Sequence, residues 1–130
     1  MILVLYESLS ILSYMKILCF DLDNVICSTK GNRYHESKPR KKIINLINNL
    51  YKKGYTIKIF TARYMGKFNG NAKKARKFGY KKTFKQLKNW KLKFHELILG
   101  KPSFDLLIDD KALGFHKNWT KQLKNYIQQL

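Results

Sequence analysis

The chain has 130 residues, of which 45% are hydrophobic and 14% aromatic, and its formal net charge is +19. This length allows one hydrophobic core but no second independent lobe, so it predicts a single globular domain. The apolar and aromatic content excludes an intrinsically disordered polycation, and no apolar run is long enough, about 18 residues, to form a transmembrane helix.

The first 14 residues are apolar with serine interruptions, but they lack the basic start and the cleavage site of a secretory signal. Met15 leads directly into the first predicted strand. We therefore expect residues 1–14 to be an extension outside the core and residues 15–130 to form the domain. Cys19 and Cys27 do not make a disulfide framework, which favours a reducing, cytoplasmic location.

The basic charge has two interpretations. Only four of the 27 basic residues are arginine, whereas proteins that bind nucleic acids favour arginine for bidentate contacts. The lysines can form an ordinary solvated surface, or they can create a field that attracts polyanions or phosphorylated small molecules. Both interpretations remain open, and they are compatible with each other.

The first half of the domain has the pattern of a βαβ unit. Lys16–Phe20 is predicted to be a buried strand, and Ser28–Arg40 a loop without periodicity. Pro39 suits the first turn of a helix that stops at Gly54, and Thr56–Phe60 is predicted to be a second strand. Strand, helix and strand in this order indicate parallel pairing.

The second half predicts a basic helix that ends near Gly79 and another helix that Thr83 caps. Two apolar runs follow, Glu96–Leu99 and Phe104–Ile108, and the four residues between them are too few for a parallel crossover. These runs form either a hairpin or a strand and a loop. The apolar spacing after Trp119 predicts a final packing helix.

Four of the eight acidic residues form two pairs, Asp21 with Asp23 and Asp109 with Asp110, and each pair follows an apolar run. Ligands of open parallel sheets bind beyond the carboxyl ends of the strands, so these pairs are expected to meet at one place. Crowded carboxylates require a cation, and an all-oxygen cluster suits Mg²⁺. The alternative is that each pair caps a helix or a loop.

Four segments in order resemble the motifs of the haloacid dehalogenase-like (HAD) phosphohydrolase superfamily. They are the segments 20–25 (FDLDNV), 59–61 (IFT), Lys101 in the sequence GKP, and 108–110 (IDD). The segments 61–63 and 100–112 are also similar to a small capless branch found with capsule and surface-polysaccharide biosynthesis genes. The resemblance implies an α/β fold with a three-layer Rossmann-like core, a mostly parallel sheet and no cap domain.

The resemblance also implies the catalytic roles. Asp21 is the nucleophile that forms an aspartyl-phosphate, and Asp23 is the general acid and base. Thr61 donates a hydrogen bond to the phosphoryl group, and Lys101 offsets negative charge. Two simpler roles stay open, because Thr61 can terminate its strand and Lys101 can be one of many surface lysines.

The resemblance further implies a Mg²⁺ ion held by Asp110 and its neighbour Asp109, together with Asp21 and the main-chain carbonyl of Asp23. Asn24 stands where many members of the superfamily carry glycine, and asparagine tolerates the left-handed backbone that this turn requires.

Only residues 24–38 lie between the first strand and its helix, and they form a short flap rather than a cap domain. An open site accepts a large substrate or borrows a lid from a neighbouring subunit, which makes a homo-oligomer one expectation. Arg63 is expected to contact either substrate phosphate or a carboxylate. The flap residues expected to contact substrate are Lys30, Arg33, Tyr34, His35 and Lys38.

These features lead to three hypotheses of function. The first is a Mg²⁺-dependent phosphomonoesterase acting on a sugar phosphate or polysaccharide precursor, without nucleic acid or membrane as partner. The second is a nucleic-acid end phosphatase, which the net charge of +19 favours. The third is a binding module that keeps the fold without activity, and the intact acidic motifs argue against it.

Overall fold

A computed structural model describes residues 16–128, which fall into two compact units. The core unit contains the described residues 16–103, and the C-terminal unit contains the described residues 104–128. In chain order the core unit contains β1 (Ile17–Asp21), β2 (Cys27–Ser28), β3 (Lys38–Pro39), helix α1 (Lys41–Lys52), β4 (Thr56–Thr61), helix α2 (Ala72–Asn89) and β5 (Glu96–Leu99).

Strands β1, β4 and β5 form the main sheet, which has three strands within residues 16–128, in the order β1-β4-β5. Both pairings are parallel, with Asp21 opposite Phe60 and Thr61 opposite Leu99. The predicted parallel βαβ unit is thereby confirmed. The protein has a small α/β, Rossmann-like fold, and between β1 and α1 the described chain has only the β2-β3 hairpin and one short 3₁₀ helix rather than a cap.

The core lies between this sheet and its helices. Strand β4 alternates between buried and half-buried positions, as expected for a sheet that packs mainly on one face. Helix α1 buries Ile44, Ile47 and Leu50, which recur every three residues. The predicted position of Pro39 in the first helical turn is wrong, because Pro39 pairs with Cys27 in the hairpin and α1 begins at Lys41.

Helix α2 is one continuous helix of 18 residues, so the prediction of two helices is wrong. The side chain of Asn71 caps its N-terminus by accepting a hydrogen bond from the N–H of Lys74 at 3.0 Å. Thr83, which was predicted to cap a second helix, is buried in the middle of α2. Gly79 also lies within α2, where the side chain of Tyr64 packs against it.

The C-terminal unit contains helix α3 (Trp119–Gln128), which confirms the predicted final helix over its described part. Of the two arrangements expected for Glu96–Leu99 and Phe104–Ile108, the structure has the strand and the loop, because Glu96–Leu99 is β5, no strand lies between residues 100 and 118, and the apolar side chains of Phe104–Ile108 are exposed. An apolar run does not by itself provide the partner strand that a ladder of hydrogen bonds requires. No helix in residues 16–128 is long and apolar enough to cross a membrane.

Candidate functional site

Three of the four predicted catalytic residues meet at the carboxyl edge of the main sheet. Asp21 ends β1, Thr61 ends β4, and Lys101 follows β5 by two residues. The Nζ of Lys101 lies 3.5 Å from Oδ1 of Asp21, and the N–H of Lys101 donates to the carbonyl of Thr61 at 3.2 Å. Because the strands are parallel, side chains far apart in sequence share one edge.

The carboxyl group of Asp21 is partly buried and only incompletely solvated. Burial raises its pKa above the ordinary value of 3.8, and this effect outweighs the positive charge of Lys101 and the hydrogen bond from the N–H of Leu22. Its side chain remains 39% exposed. A carboxylate that is incompletely solvated yet accessible is suited to attack an electrophile once a cation offsets its charge.

Asp23, the fourth predicted catalytic residue, forms a bidentate ion pair with Arg63. Arg63 Nε donates to Oδ2 at 3.0 Å, and its Nη2 donates to Oδ1 at 2.9 Å. The hydroxyl of Thr29 also donates to Oδ1, at 2.6 Å. A bidentate contact fixes both the position and the rotation of the Asp23 carboxyl group.

Arg63 is a buried hub and not an exposed phosphate-binding residue. Its side chain is only 1% exposed. Its Nη1 donates to Oε1 of Gln86 on α2 at 2.6 Å, and Gln86 Nε2 donates to the carbonyl of Tyr34 in the flap at 2.8 Å. Of the two contacts expected for Arg63, the structure has the one to a carboxylate. Arg63 therefore connects α2, the flap and Asp23.

The backbone around the acidic motif has the conformation that the sequence predicted. Asn24 adopts φ 65°, in the left-handed region that asparagine tolerates. Its side-chain oxygen accepts a hydrogen bond from the N–H of Thr29 at 3.1 Å, and its carbonyl accepts one from Nη1 of Arg40 at 2.8 Å. These contacts hold the turn that follows Asp23.

Gly100, between β5 and Lys101, stands where other residues would be strained. Gly100 has φ +103°, and a Cβ at this position would lie 3.0 Å from both Ala72 and Arg76 of α2. Arg76 Nε donates to the carbonyl of Leu99 at 3.0 Å, so α2 packs directly on the end of β5. A side chain at position 100 would be strained and crowded, and glycine avoids both problems.

The predicted flap residues are divided between surface and interior. The side chains of Arg33 and His35 are 71% and 82% exposed, and each lies 3.7 Å from a carboxylate oxygen of Glu36. Tyr34 is half-buried, and the guanidinium carbon of Arg63 lies 4.9 Å from the centroid of its ring. Unlike Arg33 and His35, Tyr34 therefore contacts the buried Arg63.

The predicted metal ligands belong to different units. Asp21 and Asp23 lie in the core unit, and Asp109 and Asp110 lie in the C-terminal unit, where Oδ1 of Asp109 accepts a hydrogen bond from the N–H of Lys111 at 2.9 Å. Within the described residues of each unit, no three His, Cys, Asp or Glu side chains form a group that could hold a metal. Mg²⁺ commonly takes only one or two carboxylates and keeps several waters, so the Asp21 carboxylate and the Asp23 carbonyl have suitable donor chemistry. The four-residue ligand set stays a prediction.

Three polar residues around Asp23 belong to no motif and were not predicted from the sequence. Thr29 and Ser37 share a hydrogen bond at 2.7 Å, and Gln86 binds Arg63 from α2. Thr29 lies six residues from Asp23, whereas Ser37 and Gln86 lie more than 20 residues from Arg63. Only the packing of α2 and the flap on the sheet brings them together.

No protein-family model matches the chain, and no curated protein matches it. The chain is similar to the crystal structure of a structural-genomics target from Vibrio cholerae, with a TM-score of 0.71 and 25% sequence identity. The similarity covers 87% of this chain and 99% of that one. It supports the small α/β fold, and no activity is named for the similar protein.

Proposed function

We propose that the protein is a Mg²⁺-dependent phosphomonoesterase that works through an aspartyl-phosphate intermediate on a phosphorylated sugar or polysaccharide precursor. The observation that carries this proposal is the Asp21 carboxylate at the end of β1, accessible and 3.5 Å from the ammonium group of Lys101. Asp23, two residues further on, and Thr61, on the neighbouring strand, supply the other groups that the reaction needs.

The reaction has two steps. A carboxylate oxygen of Asp21 attacks phosphorus, the bond from phosphorus to the ester oxygen breaks, and Asp23 gives its proton to the departing alkoxide. Asp23 then takes a proton from a water molecule that attacks the phosphorus of the aspartyl-phosphate, and inorganic phosphate leaves as Asp21 is restored. Lys101 and the Thr61 hydroxyl stabilise the negative charge on the phosphoryl oxygens. When bound, Mg²⁺ reduces the repulsion between the anionic nucleophile and the anionic substrate.

The Arg63 ion pair has a consequence for the acid step. In the structure the Asp23 oxygens accept hydrogen bonds from Arg63 and Thr29, which is the pattern of an ionised carboxylate. A general acid must carry a proton, and Oδ2, which within residues 16–128 accepts a hydrogen bond from Arg63 Nε alone, has a further lone pair that can carry it. The bidentate contact holds the Asp23 carboxyl group in one position for both steps.

The second candidate is a phosphatase that acts on nucleic-acid ends. Helix α2 supports it, because eight of its 18 residues are Lys or Arg and none is acidic. A continuous basic helix can bind successive backbone phosphates. Such binding weakens steeply with salt, whereas binding of a small phosphate ester depends on salt far less.

The test measures phosphate release from sugar phosphates, nucleotides and phosphorylated oligonucleotides, with and without Mg²⁺. The variant is Asp21→Asn, and the matched control is Asp105→Asn, which makes the same chemical change at an exposed position of the C-terminal unit. We expect Mg²⁺-dependent release by wild type and by Asp105→Asn, and none by Asp21→Asn.

Preference for oligonucleotides, with a rate that falls steeply as salt rises, would replace the first candidate with the second. Release that is unchanged in Asp21→Asn would refute the aspartyl-phosphate mechanism. A folded wild-type protein that releases phosphate from no substrate, with or without Mg²⁺, would instead support the non-catalytic binding module.

A further inference from the structure

A cavity of about 420 Å³ lies within the core unit, beside the buried arginine. This size is in the range of sites that hold small organic ligands, roughly 300 to 1,000 Å³. Three aromatic rings supply much of its wall. Its lining residues are Asn32, Tyr34, Tyr64, Gly66, Lys67 and Phe78.

The cavity lies next to the group proposed to protonate the leaving alcohol. Tyr34, one wall of the cavity, lies 4.9 Å from the guanidinium of Arg63, and that guanidinium binds the carboxylate of Asp23. One side chain therefore separates the cavity wall from Asp23. The alcohol part of an ester whose phosphorus lies at Asp21 has to approach Asp23, which is proposed to protonate it.

Tyr64 is built into the cavity wall at a conformational cost. It has φ 68°, which is uncommon for a bulky residue. Its ring packs on Gly79 of α2 so closely that a Cβ at position 79 would overlap it. The same ring makes edge contacts with Tyr34 and Phe78, at centroid distances of 5.0 and 5.2 Å. Strain of this kind persists where surrounding packing fixes it, and it is frequent at ligand sites.

Two ammonium groups converge on one ring of the wall. The Nζ atoms of Lys82 and Lys67 lie 3.7 and 4.9 Å from the centroid of Phe78. Within residues 16–128, neither lysine has a carboxylate at ion-pair distance. Two cationic groups near one ring of the cavity wall would attract an anionic group of a ligand.

The arrangement favours a sugar ring over a nucleobase. A base stacks on an aromatic face, but Arg63 occupies one face of Tyr34 and Lys82 occupies one face of Phe78. What remains is a mixture of ring edges, the Asn32 amide and cationic groups. This mixture suits a ligand that has both apolar C–H groups and hydroxyls.

We propose that the cavity binds the leaving-group part of the substrate, an anionic sugar ring whose carboxylate contacts Lys67 and Lys82 while its C–H groups pack on Tyr64 and Phe78. This inference rests on the proposed function for the position of the phosphate. It adds the substrate class and the residues that select it. Lys67 and Phe78 belong to none of the four motifs.

The kinetic test compares glucuronic acid 1-phosphate with glucose 1-phosphate, which differ by the carboxylate. The variants are Lys67→Gln and Lys82→Gln, and the matched control is Lys81→Gln, the same change at the exposed neighbouring residue of α2. The measured quantity is the ratio of kcat/KM for the acidic ester to kcat/KM for the neutral ester. We expect each variant to lower this ratio about fivefold, mainly through KM, because partly exposed charge pairs contribute up to about 1 kcal/mol. The ratio of the control should equal that of wild type.

A second measurement does not depend on catalysis. Binding of glucuronate, which carries no phosphate, is measured by calorimetry with wild type and with Phe78→Ala. We expect saturable binding by wild type and at least about tenfold weaker binding by the variant, because the sugar ring loses its packing contact with the Phe78 side chain.

The two measurements separate the two proposals. Glucuronate binding without turnover of any ester would keep the cavity as a sugar-acid site, but it would reject the phosphatase and with it the leaving-group role of the cavity. Turnover with a ratio that neither lysine variant changes would overturn the cavity proposal and leave the phosphatase intact. Tighter binding of a nucleoside than of glucuronate would overturn the sugar-acid assignment.

Discussion

Replacing Arg63 with Met is expected to destabilise the protein more than any exposed substitution. The guanidinium is 1% exposed, and the Asp23 side chain that it binds is 20% exposed. Met has a similar length but no donor, so Asp23 would keep the hydrogen bond from Thr29 and lose its ion pair. Gln86 would also lose a donor that lies at 2.6 Å in the structure.

The magnitude follows from these contacts. Removal of one partner of a buried ion pair costs about 3 to 5 kcal/mol, because the remaining charge is buried without compensation. Asp23 keeps some exposure and one strong hydrogen bond, which places the expected loss for Arg63→Met at about 3 kcal/mol. A natural domain has only about 5 to 15 kcal/mol in total, so the change is large.

The assay is urea unfolding at neutral pH, followed by circular dichroism. With a slope of about 1.5 kcal/mol per molar urea, we expect the midpoint of Arg63→Met to lie about 2 M below that of wild type. The matched control is Arg33→Met, because Arg33 is an exposed arginine with one 3.7 Å contact to Glu36. Its midpoint should change by less than about 0.5 M, since exposed pairs contribute little.

A double-mutant cycle tests the physical reason. The double variant Arg63→Met with Asp23→Asn leaves no buried charge, so its destabilisation should be smaller than the sum of the single effects by about 1 to 2 kcal/mol. Additive effects, or a loss below about 1 kcal/mol for Arg63→Met alone, would refute the idea that this ion pair organises the site.

Three further predictions concern single positions around the site. Because burial raises the pKa of Asp21, its ionised form destabilises the folded state, so Asp21→Asn should stabilise the protein at neutral pH. The difference in urea midpoint between variant and wild type should vanish as the pH falls through the raised pKa to the ordinary value of 3.8, and a difference that stays constant would contradict this reasoning. Lys101→Met should lower kcat about 100-fold, because Lys101 is proposed to stabilise the phosphoryl charge. The acidic limb of the pH–rate profile should also move to higher pH, because the Lys101 charge holds the pKa of Asp21 down. An unmoved limb would show that this charge does not act on the nucleophile. Gly79→Ala should lower the free energy of unfolding by about 1 to 2 kcal/mol despite the better helix propensity of alanine, because its Cβ overlaps the Tyr64 ring. The control Gly66→Ala meets no atom within 4 Å and should be neutral, and equal urea midpoints for the two variants would contradict the prediction.

Much of the core unit could be predicted because local patterns report local burial. The apolar runs of β1, β4 and β5 each end at a polar residue or a glycine, and helix α1, between β1 and β4, has regular apolar spacing. The order strand, helix, strand then leaves parallel pairing as the natural arrangement. The placement of Asp21, Thr61 and Lys101 at one edge of the sheet follows directly from that pairing.

Local patterns failed where the outcome depends on a distant partner. Gly79 and Thr83 looked like the end of one helix and the start of another, but Gly79 instead provides room for the Tyr64 ring within a continuous α2. Phe104–Ile108 has the composition of a strand, but composition does not supply a neighbouring strand.

The two levels of information therefore divide by distance along the chain. The α/β order of the core unit and the acidic motif at the end of β1 can be predicted from the sequence, since both depend on residues close together. The contact of Arg63 with Asp23 rather than with a substrate phosphate, and the cavity that Tyr64 and Phe78 line, follow from the packing of distant elements. These contacts join residues that are 14 to 40 positions apart, and their free energy is gained only when the helix, the flap and the sheet have already packed together.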